Sequence, residues 1–238
     1  MSRLSRGISH VDDIRALFAS ITERYDLLNR LLSLGHDVLW RRYAVRKMRF
    51  FKTRRLLDLA CGTCDISIMA SRWHGGVRVV GVDLARQMLL LGRKKAKKLG
   101  GNTIPLVEGD ALSLPFRDDS FDVSIVAFGL RNMGDRGGAI REMARVTHPS
   151  GQVMILEMTL NGDPALKSLF GWYVKRVIPL VGGWLSSNES AYRYLSRSIS
   201  LFLSPEDLRG LMERQGLKHV QVFRLPLGIT YLHVGIKP

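Results

Sequence analysis

The chain has 238 residues, 46% of them hydrophobic and 24% charged, which excludes a disordered or low-complexity protein and allows one large α/β domain. Thirty-six Lys and Arg against 21 Asp and Glu give a net charge of +15, which favours an anionic partner, either nucleic acid or an acidic membrane surface. No secretory signal is recognised, and the most apolar stretch, from Leu169, is interrupted by Lys175, Arg176 and Pro179. With only two cysteines, a reducing cytoplasm is the expected location.

The first part of the chain has a helical pattern. Apolar residues recur at three- and four-residue spacing from Val11 to about Phe51, which predicts amphipathic helices. Strand and helix patterns then alternate. Strands are predicted at RRLLDLA, VRVVGVD, NTIPLVEGD, FDVSIVAF and GQVMILEM, and helices at DISIMASRW, at ARQMLLLGRKKAKKLG (closed by Gly100) and at DRGGAIREMARVTHP (stopped by Pro149).

The alternation lapses after Met158 and resumes with SPEDLRGLMERQG, a helix with Ser204 as its N-cap and Pro205 in its first position. Two strands, LKHVQVFRL and GITYLHVGIK, follow. The sequence therefore predicts an α/β fold, a doubly wound and mostly parallel sheet of seven strands, in a single domain over residues 1–238. We divide it into a helical segment (1–52), a core (53–159), an insertion that resembles a lid (160–203) and a last helix with a strand hairpin (204–238).

The turn after the first predicted strand, LLDLACGTCD at 56–65, lies where open parallel sheets bind ligands. Its small residues allow backbone N–H groups to approach a ligand. The dinucleotide fingerprint G-x-G-x-x-G is absent, so NAD is not favoured as that ligand. Asp83 ends the second strand and suits a ribose diol, while Asp110 follows the third strand and suits an adenine amino group. Together with Asp58, these acids resemble those of class I S-adenosylmethionine methyltransferases, although Asp58 and Asp110 could equally cap turns.

The same turn holds both cysteines, Cys61 and Cys64, spaced C-x-x-C. Redox enzymes hold an activated thiolate at such a helix N-terminus. No further cysteine or histidine cluster completes a zinc site, so no metal is expected. We interpret both cysteines as small residues of a cofactor turn. We also expect them to oxidise readily to a bond that would weaken cofactor binding.

Four segments narrow the reaction, and the first of them lies outside the generic fold. They are YDLLNRLLSLGHDVLW at 25–40, FGLRNM at 128–133, RVTHPSGQVMILEMT at 145–159 and SAYRYLSRSI at 190–199. In this order they resemble segments of the ubiquinone/menaquinone biosynthesis C-methyltransferases, closely at 25–40 and loosely at 145–159, and the resemblance covers nearly the whole chain. It implies an enzyme that uses S-adenosyl-L-methionine to methylate a ring carbon of a demethylated polyprenyl quinol, in the menaquinone or ubiquinone series.

The resemblance also implies roles for individual residues. The cofactor residues would be Thr63, Asp83, Asp110 and Ala111, with Gly62 and Asp58 shaping the turn. The catalytic residues would be Arg131 and Asn132, which hold the quinol oxygen, and His36 as acid or base. The quinone pocket would be lined by Tyr25, Asn29, Trp40, Tyr192 and Tyr194. A structural role for His36 and a core position for Trp40 remain alternatives.

Some positions depart from the family pattern. Cysteines replace the usual glycines of the turn, Ala127 replaces a hydroxyl residue, and Thr147, His148 and Ser150 replace Leu, Lys and Gly. Another apolar aromatic acceptor, or an inactive paralogue, therefore stays open.

Two partners fit the basic charge. Basic residues crowd 41–55 and the helix at 93–98, and they could form solvated faces, dock the enzyme peripherally on anionic lipid, or bind RNA. Against an RNA methyltransferase, AFGLRN replaces the D/N-P-P-Y/F turn of exocyclic-amine enzymes, and neither cysteine lies near the fourth strand as a base C5 enzyme needs. Nucleic acid is therefore the less favoured partner, and the oligomeric state, including a homo-oligomer, is left open.

Overall fold

The structure is a computed structural model that describes residues 30, 33, 35–99, 104–162 and 189–238; within 189–195 only the side chain of Tyr194 is described. The strands are β1 Arg55–Leu59, β2 Arg78–Asp83, β3 Leu106–Glu108, β4 Phe121–Ala127, β5 Thr147–Met158, β6 Lys218–Arg224 and β7 Thr230–Ile236. The helices are α1 His36–Lys47, α2 Asp65–Trp73, α3 Arg86–Lys98, α4 Arg136–Val146, α5 Glu189–Leu201 and α6 Pro205–Arg214, with a 3₁₀ turn at Leu130–Asn132.

The seven strands form one sheet in the order β3-β2-β1-β4-β5-β7-β6. All neighbours are parallel except β7, which runs antiparallel to β5 and β6. The predicted doubly wound, mostly parallel sheet of seven strands is therefore confirmed. Because β1 and β4 are neighbours while the chain winds outward from them in opposite directions, the carboxyl ends of these two strands form the ligand-binding crevice.

Alternate residues of the central strands enter two separate cores. On β1, Leu56 packs into the core that also holds Trp40 of α1, while Leu57 enters the core that holds Met143 of α4. Such strands are buried on both faces and therefore read as continuous apolar runs in the sequence. Both cores are needed to hold β1 and β4 side by side.

One predicted boundary is wrong. Helix α4 ends at Val146, three residues before Pro149, and β5 already begins at Thr147. Thr147 pairs with Phe121 of β4, and a hydrogen bond of 2.7 Å joins its hydroxyl group to the hydroxyl group of Ser124. In addition, the residue before a proline is disfavoured in helical conformation, so the helix stops before the proline is reached.

The predicted start of α6 is confirmed, because Ser204 caps it with Pro205 at its first position. Most of the predicted N-terminal helical segment, Gly100 and residues 163–188 of the insertion lie outside the described residues. Among the residues that are described, no helix is long and apolar enough to cross a membrane.

A buried carboxylate fixes the entry of the chain into β1. Asp122 of β4 is fully buried and accepts hydrogen bonds from the backbone N–H groups of Phe51, Lys52, Thr53 and Arg54, at 2.8–3.2 Å. Burial opposes the charged form, but these four donors outweigh it, and the pKa of Asp122 lies below its usual value. The segment between α1 and β1 is thus folded around a single side chain.

We expect Asp122→Asn to lower the free energy of unfolding by about 2–3 kcal/mol at pH 7, because the amide cannot satisfy four donors. A depressed pKa stabilises the fold above the unfolded-state pKa, and this contribution is lost as the pH falls through the folded-state pKa. Urea titrations should therefore show the full difference in the free energy of unfolding between the variant and the unchanged protein at pH 6. This difference should shrink below about pH 4. The same change at exposed Asp118 should cost less than about 0.5 kcal/mol; equal costs at both positions would contradict this account.

Candidate active site

The turn between β1 and α2 alternates between ordinary and left-handed backbone. Ala60, Gly62 and Cys64 have φ values of 52°, 53° and 67°. Left-handed backbone is strained for alanine and cysteine but not for glycine. The N–H of Cys61 donates to the carbonyl oxygen of Val82 at 3.0 Å, which fastens the turn to β2.

A cleft opens beside this turn, at the carboxyl ends of β1 and β4. It is lined by Arg41, Asp58, Ala60, Cys61, Gly62, Thr63, Asp65, Ile66 and Ala127. Three of the predicted cofactor residues therefore lie in its wall: Asp58, Gly62 and Thr63.

Asp58 joins the strand to the helix that follows it. One carboxylate oxygen accepts hydrogen bonds from the backbone N–H (3.0 Å) and hydroxyl (2.6 Å) of Ser67 in α2. Burial raises its pKa to about 7, although the bonds to Ser67 and the charge of Arg41 oppose the rise. Asp58 thus ties the end of β1 to the first turn of α2.

Asp83 binds the turn from the next strand. Its carboxylate accepts hydrogen bonds from the N–H groups of Gly62 and Ala85, each at 2.8 Å, and burial raises its pKa against these bonds. Asp110 is exposed, and one of its oxygens accepts the N–H of Leu112 at 2.9 Å. The two acids therefore lie in order along the carboxyl edge, at the end of β2 and just after β3, and their contacts with a ribose and an adenine stay predictions.

Thr63 and Ala111 complete the predicted cofactor residues. Thr63 is buried, and the ammonium group of Lys95 lies 3.3 Å from its hydroxyl and 2.6 Å from Asp65. Ala111 is half-buried beside Asp110. Their contacts with a cofactor stay predictions.

The two thiols fill space that glycines on neighbouring elements leave open. A Cβ at Gly81 would lie 2.9 Å from the Cys61 sulfur, and one at Gly92 of α3 would overlap the Cys64 sulfur. Both cysteines are free and buried, with their sulfurs 4.0 Å apart. This arrangement agrees with the interpretation of both as small turn residues.

The expected ease of oxidation is not supported. The hydrogen bond with Cys64 and burial raise the pKa of the Cys61 thiol well above its ordinary value, so little thiolate is present at neutral pH. Within the described residues, no group of three or more His, Cys, Asp or Glu side chains is arranged to hold a metal ion.

Arg131 is buried and paired. Its Nη1 lies 2.5 Å from Glu157 of β5 and donates to the carbonyl oxygen of Phe128 at 2.7 Å. Phe128 has φ 60°, an unusual value for a large residue. The Arg131 Nε–H is buried and has no hydrogen-bond partner among the described residues. Glu157 thus pairs with the guanidinium, and the buried Nε–H is left as an unsatisfied donor among the described residues.

Asn132 is oriented by the insertion. The Tyr194 hydroxyl of α5 donates to the Asn132 Oδ1 at 3.0 Å. Burial raises the pKa of Tyr194 although Arg131 and Arg136 oppose it, so the phenol keeps its proton and acts as a donor. This hydrogen bond leaves the Asn132 NH₂ group as the donor for another partner.

The turns after β1 and β4 touch each other. A Cβ at Gly129 would lie 2.6 Å from the Cβ of Ala60. The glycine therefore permits the segment that carries Arg131 and Asn132 to approach the cofactor turn closely.

Of the remaining predicted residues, the structure describes the side chains of His36 and Trp40. His36 donates through Nδ1 to the Ser33 carbonyl oxygen at 3.2 Å, in the tautomer whose Nε2 can accept a proton. Trp40 is fully buried, and its Nε1–H donates to the Pro226 carbonyl oxygen at 2.9 Å. Trp40 is thus a core residue in this structure, as the alternative interpretation held, and its contact with a quinone stays a prediction. Tyr25, Asn29 and the Tyr192 side chain lie outside the described residues.

Sequence reasoning missed two residues. In the sequence, Glu157 is one residue of the 145–159 segment and Arg41 is one of the basic residues at 41–55. The structure shows that both are buried at the site. The signal for Arg41 was Asp37, an acid four residues earlier on the same helix, which is the spacing of a helical ion pair.

Comparisons with known proteins agree with this geometry. A model of the ubiE/COQ5 methyltransferase family matches residues 8–237. The demethylmenaquinone methyltransferase of Thermus thermophilus is 41% identical over 93% of this chain and 100% of its own length. The ubiquinone/menaquinone biosynthesis C-methyltransferase UbiE of Citrifermentans bemidjiense is 42% identical over 94% and 96%. A SAM-dependent methyltransferase structure from Thermotoga maritima, described as a possible histamine N-methyltransferase, has a TM-score of 0.68 at 17% identity, over 96% of this chain and 100% of that one, which shows the fold.

The fold, the left-handed turn and the ordered acids define a class I methyltransferase whose cofactor is S-adenosyl-L-methionine. The chain belongs to the ubiE/COQ5 methyltransferase family. The predicted family, enzyme class and cofactor are therefore confirmed.

The fit between Cys64 and Gly92 can be tested by a double-mutant cycle. We expect Gly92→Ala to destabilise the protein by about 1–3 kcal/mol through overpacking, although alanine is the better helix former. Adding Cys64→Ala should restore most of the loss in urea unfolding. Gly210→Ala on α6, where the Cβ meets only the end of a flexible arginine, is the control and should not destabilise; additive effects of Gly92→Ala and Cys64→Ala would refute the proposed contact.

Proposed function

We propose that the protein transfers a methyl group from S-adenosyl-L-methionine to a ring carbon of a demethylated polyprenyl quinol, converting a demethylmenaquinol to a menaquinol or methylating the equivalent ubiquinone precursor. The observation that carries the proposal is the buried pair of Arg131 and Glu157, with half-buried Asn132 next to it, beside the cofactor turn in a chain that matches the ubiE/COQ5 family over residues 8–237. Two relatives whose names give this reaction are 41% and 42% identical to it.

The chemistry requires little from the protein beyond placement and a stabilised oxygen. The cofactor would supply an electrophilic methyl group and leave as S-adenosylhomocysteine when the bond from sulfur to methyl breaks. A hydroquinone ring carbon becomes nucleophilic once a phenolic proton leaves, and it loses its own proton after the new carbon–carbon bond forms, which restores the aromatic ring. Holding the reacting atoms in line provides much of the rate. Donors aimed at the developing phenolate supply the remainder.

The described residues offer those donors. The NH₂ group of Asn132, held by Tyr194, and the Nε–H of Arg131 can both donate to a phenolate oxygen. An unsatisfied buried N–H costs about 1–3 kcal/mol, which is recovered when an oxygen atom enters. Because Glu157 balances its charge, Arg131 acts here through donor geometry more than through net charge. His36 in its Nε2-accepting tautomer is the proposed proton acceptor.

An assay with labelled S-adenosylmethionine tests the acceptor directly. It offers demethylmenaquinol, a demethylated ubiquinol precursor and bulk RNA in parallel. We expect label in one or both quinols. Label only in RNA would support the alternative reading of the basic surface and overturn the proposal, and label in neither quinol would point to another apolar aromatic acceptor.

The role of Arg131 leads to a prediction about turnover. Arg131→Gln should lower kcat by about 10²–10³-fold while affinity for S-adenosylhomocysteine stays within about twofold, because the lost donor acts on the acceptor. Arg209→Gln, an exposed arginine on α6, is the control for a lost charge and should keep full activity.

The single change leaves Glu157 buried and unpaired, which can destabilise the fold. The double variant Arg131→Gln/Glu157→Gln removes both charges and should melt close to the unchanged protein. If this double variant is folded and retains more than a tenth of the turnover, the proposed role of Arg131 is wrong.

We also propose that the enzyme docks on anionic membranes, where a polyprenyl quinol resides. The supporting surface is the exposed side of α1 with the end of α2: Val38, Leu39, Arg42, Arg46 and Trp73. The four α1 residues fall within about 100° of the helix circumference. The guanidinium carbons of Arg42 and Arg46 each lie 5.6 Å from the Trp73 ring centroid. Basic and aromatic side chains together suit a bilayer interface.

Vesicle sedimentation tests this docking surface. Vesicles with 30 to 40% phosphatidylglycerol should bind the protein, and Arg42→Glu/Arg46→Glu should weaken binding at least about tenfold, since each basic residue near the surface contributes about 1 kcal/mol. Lys94→Glu/Lys97→Glu on α3 makes the same change in net charge and should weaken binding much less. Equal losses, or no binding by the unchanged protein, would refute the assignment of this surface.

A further inference from the structure

Arg41 differs from the other basic residues of its segment. Only 6% of it is exposed, whereas its neighbour Arg42 is exposed. Its Nη1 donates to the Asp37 carboxylate at 2.6 Å, and its guanidinium carbon lies 5.0 Å from the centroid of the Phe128 ring. The Ser33 hydroxyl in turn donates to Asp37 at 2.9 Å. An ion pair and a ring therefore hold this cation in the wall of the cleft.

The position of Arg41 along the sheet indicates which part of a ligand it meets. The strand order places Asp110, then Asp83, then the cleft of β1 and β4 along one edge. An adenosyl group over the two acids therefore leaves its amino-acid portion over the β1 turn. That portion carries one carboxylate. Among the residues that line this cleft in the described part of the chain, Arg41 is the cation, while Asp58 and Asp65 are acids.

We propose that Arg41 is the binding site for the α-carboxylate of the cofactor's amino-acid portion, and that Asp37 is its positioning residue. A guanidinium has five N–H donors in a planar fork. In Arg41, only Nη1 donates to Asp37, to its carboxylate and to its backbone carbonyl oxygen. The remaining donors match a carboxylate.

The inference rests on the methyltransferase assignment and not on the identity of the acceptor. Its test measures ligand binding without any quinol, so failure of the proposed acceptor would leave the result interpretable. The two probes are S-adenosylhomocysteine, which has the carboxylate, and 5′-methylthioadenosine, which shares the adenosyl thioether and lacks the amino-acid portion.

Isothermal titration of Arg41→Gln should show affinity for S-adenosylhomocysteine lowered by about 10- to 100-fold, the loss expected for charge-assisted hydrogen bonds. Affinity for 5′-methylthioadenosine should stay within about twofold. Arg42→Gln removes the same charge from the next residue of the same helix, which is exposed, and should leave both affinities unchanged.

The single change leaves Asp37 buried without its cation, so Asp37→Asn/Arg41→Gln is measured alongside it as the variant without a lone buried charge. This double variant should show the same selective loss. An unchanged affinity for S-adenosylhomocysteine in either folded variant would overturn the proposal. An equal loss for both ligands in the double variant would also overturn it, since Arg41 would then support the cleft without contacting a carboxylate.

Discussion

The close contact between Ala60 and Gly129 is the constraint on which the site depends. It joins the turn after β1, where the cofactor is predicted to bind, to the turn after β4, which carries Arg131 and Asn132. A methyl transfer needs its reacting atoms within about 3–3.5 Å, so the two turns can differ little in position. Neighbouring parallel strands set their spacing, and the missing side chain of Gly129 lets them approach further.

Buried carboxylates hold the elements around this contact. Asp58 joins β1 to α2, Asp83 joins β2 to the cofactor turn, and Glu157 joins β5 to Arg131. Each sits at or near the carboxyl end of its strand and is satisfied by backbone N–H groups or by a cation, which is the condition for burying a charge. Asp122 serves the opposite end of the sheet in the same way. These four acids of an otherwise basic chain thus organise the fold and the cleft.

The basic residues divide into two groups with different roles. Arg41 and Arg131 are buried beside acids and take part in the site, while Arg42 and Arg46 remain exposed next to Trp73. One helix, α1, therefore presents a cation to the cleft from one side and basic residues to solvent from another. If the proposed membrane docking holds, the same helix connects the surface that meets lipid with the pocket where a lipid-soluble quinol must arrive.

The sequence by itself determined the sheet, its seven strands, the cofactor turn and the family, because apolar runs, strand-end acids and long motifs are local patterns in the chain. It missed the end of α4, where pairing of Thr147 with Phe121 overrides the helical pattern. It also could not distinguish Arg41 from Arg42, or foresee the pairing of Arg131 with Glu157, 26 residues away. It also left a redox role for the two cysteines open, and the structure holds both as buried free thiols packed against glycines. Only the tertiary structure decided these points, because burial and the pairing of distant charges depend on which elements pack together.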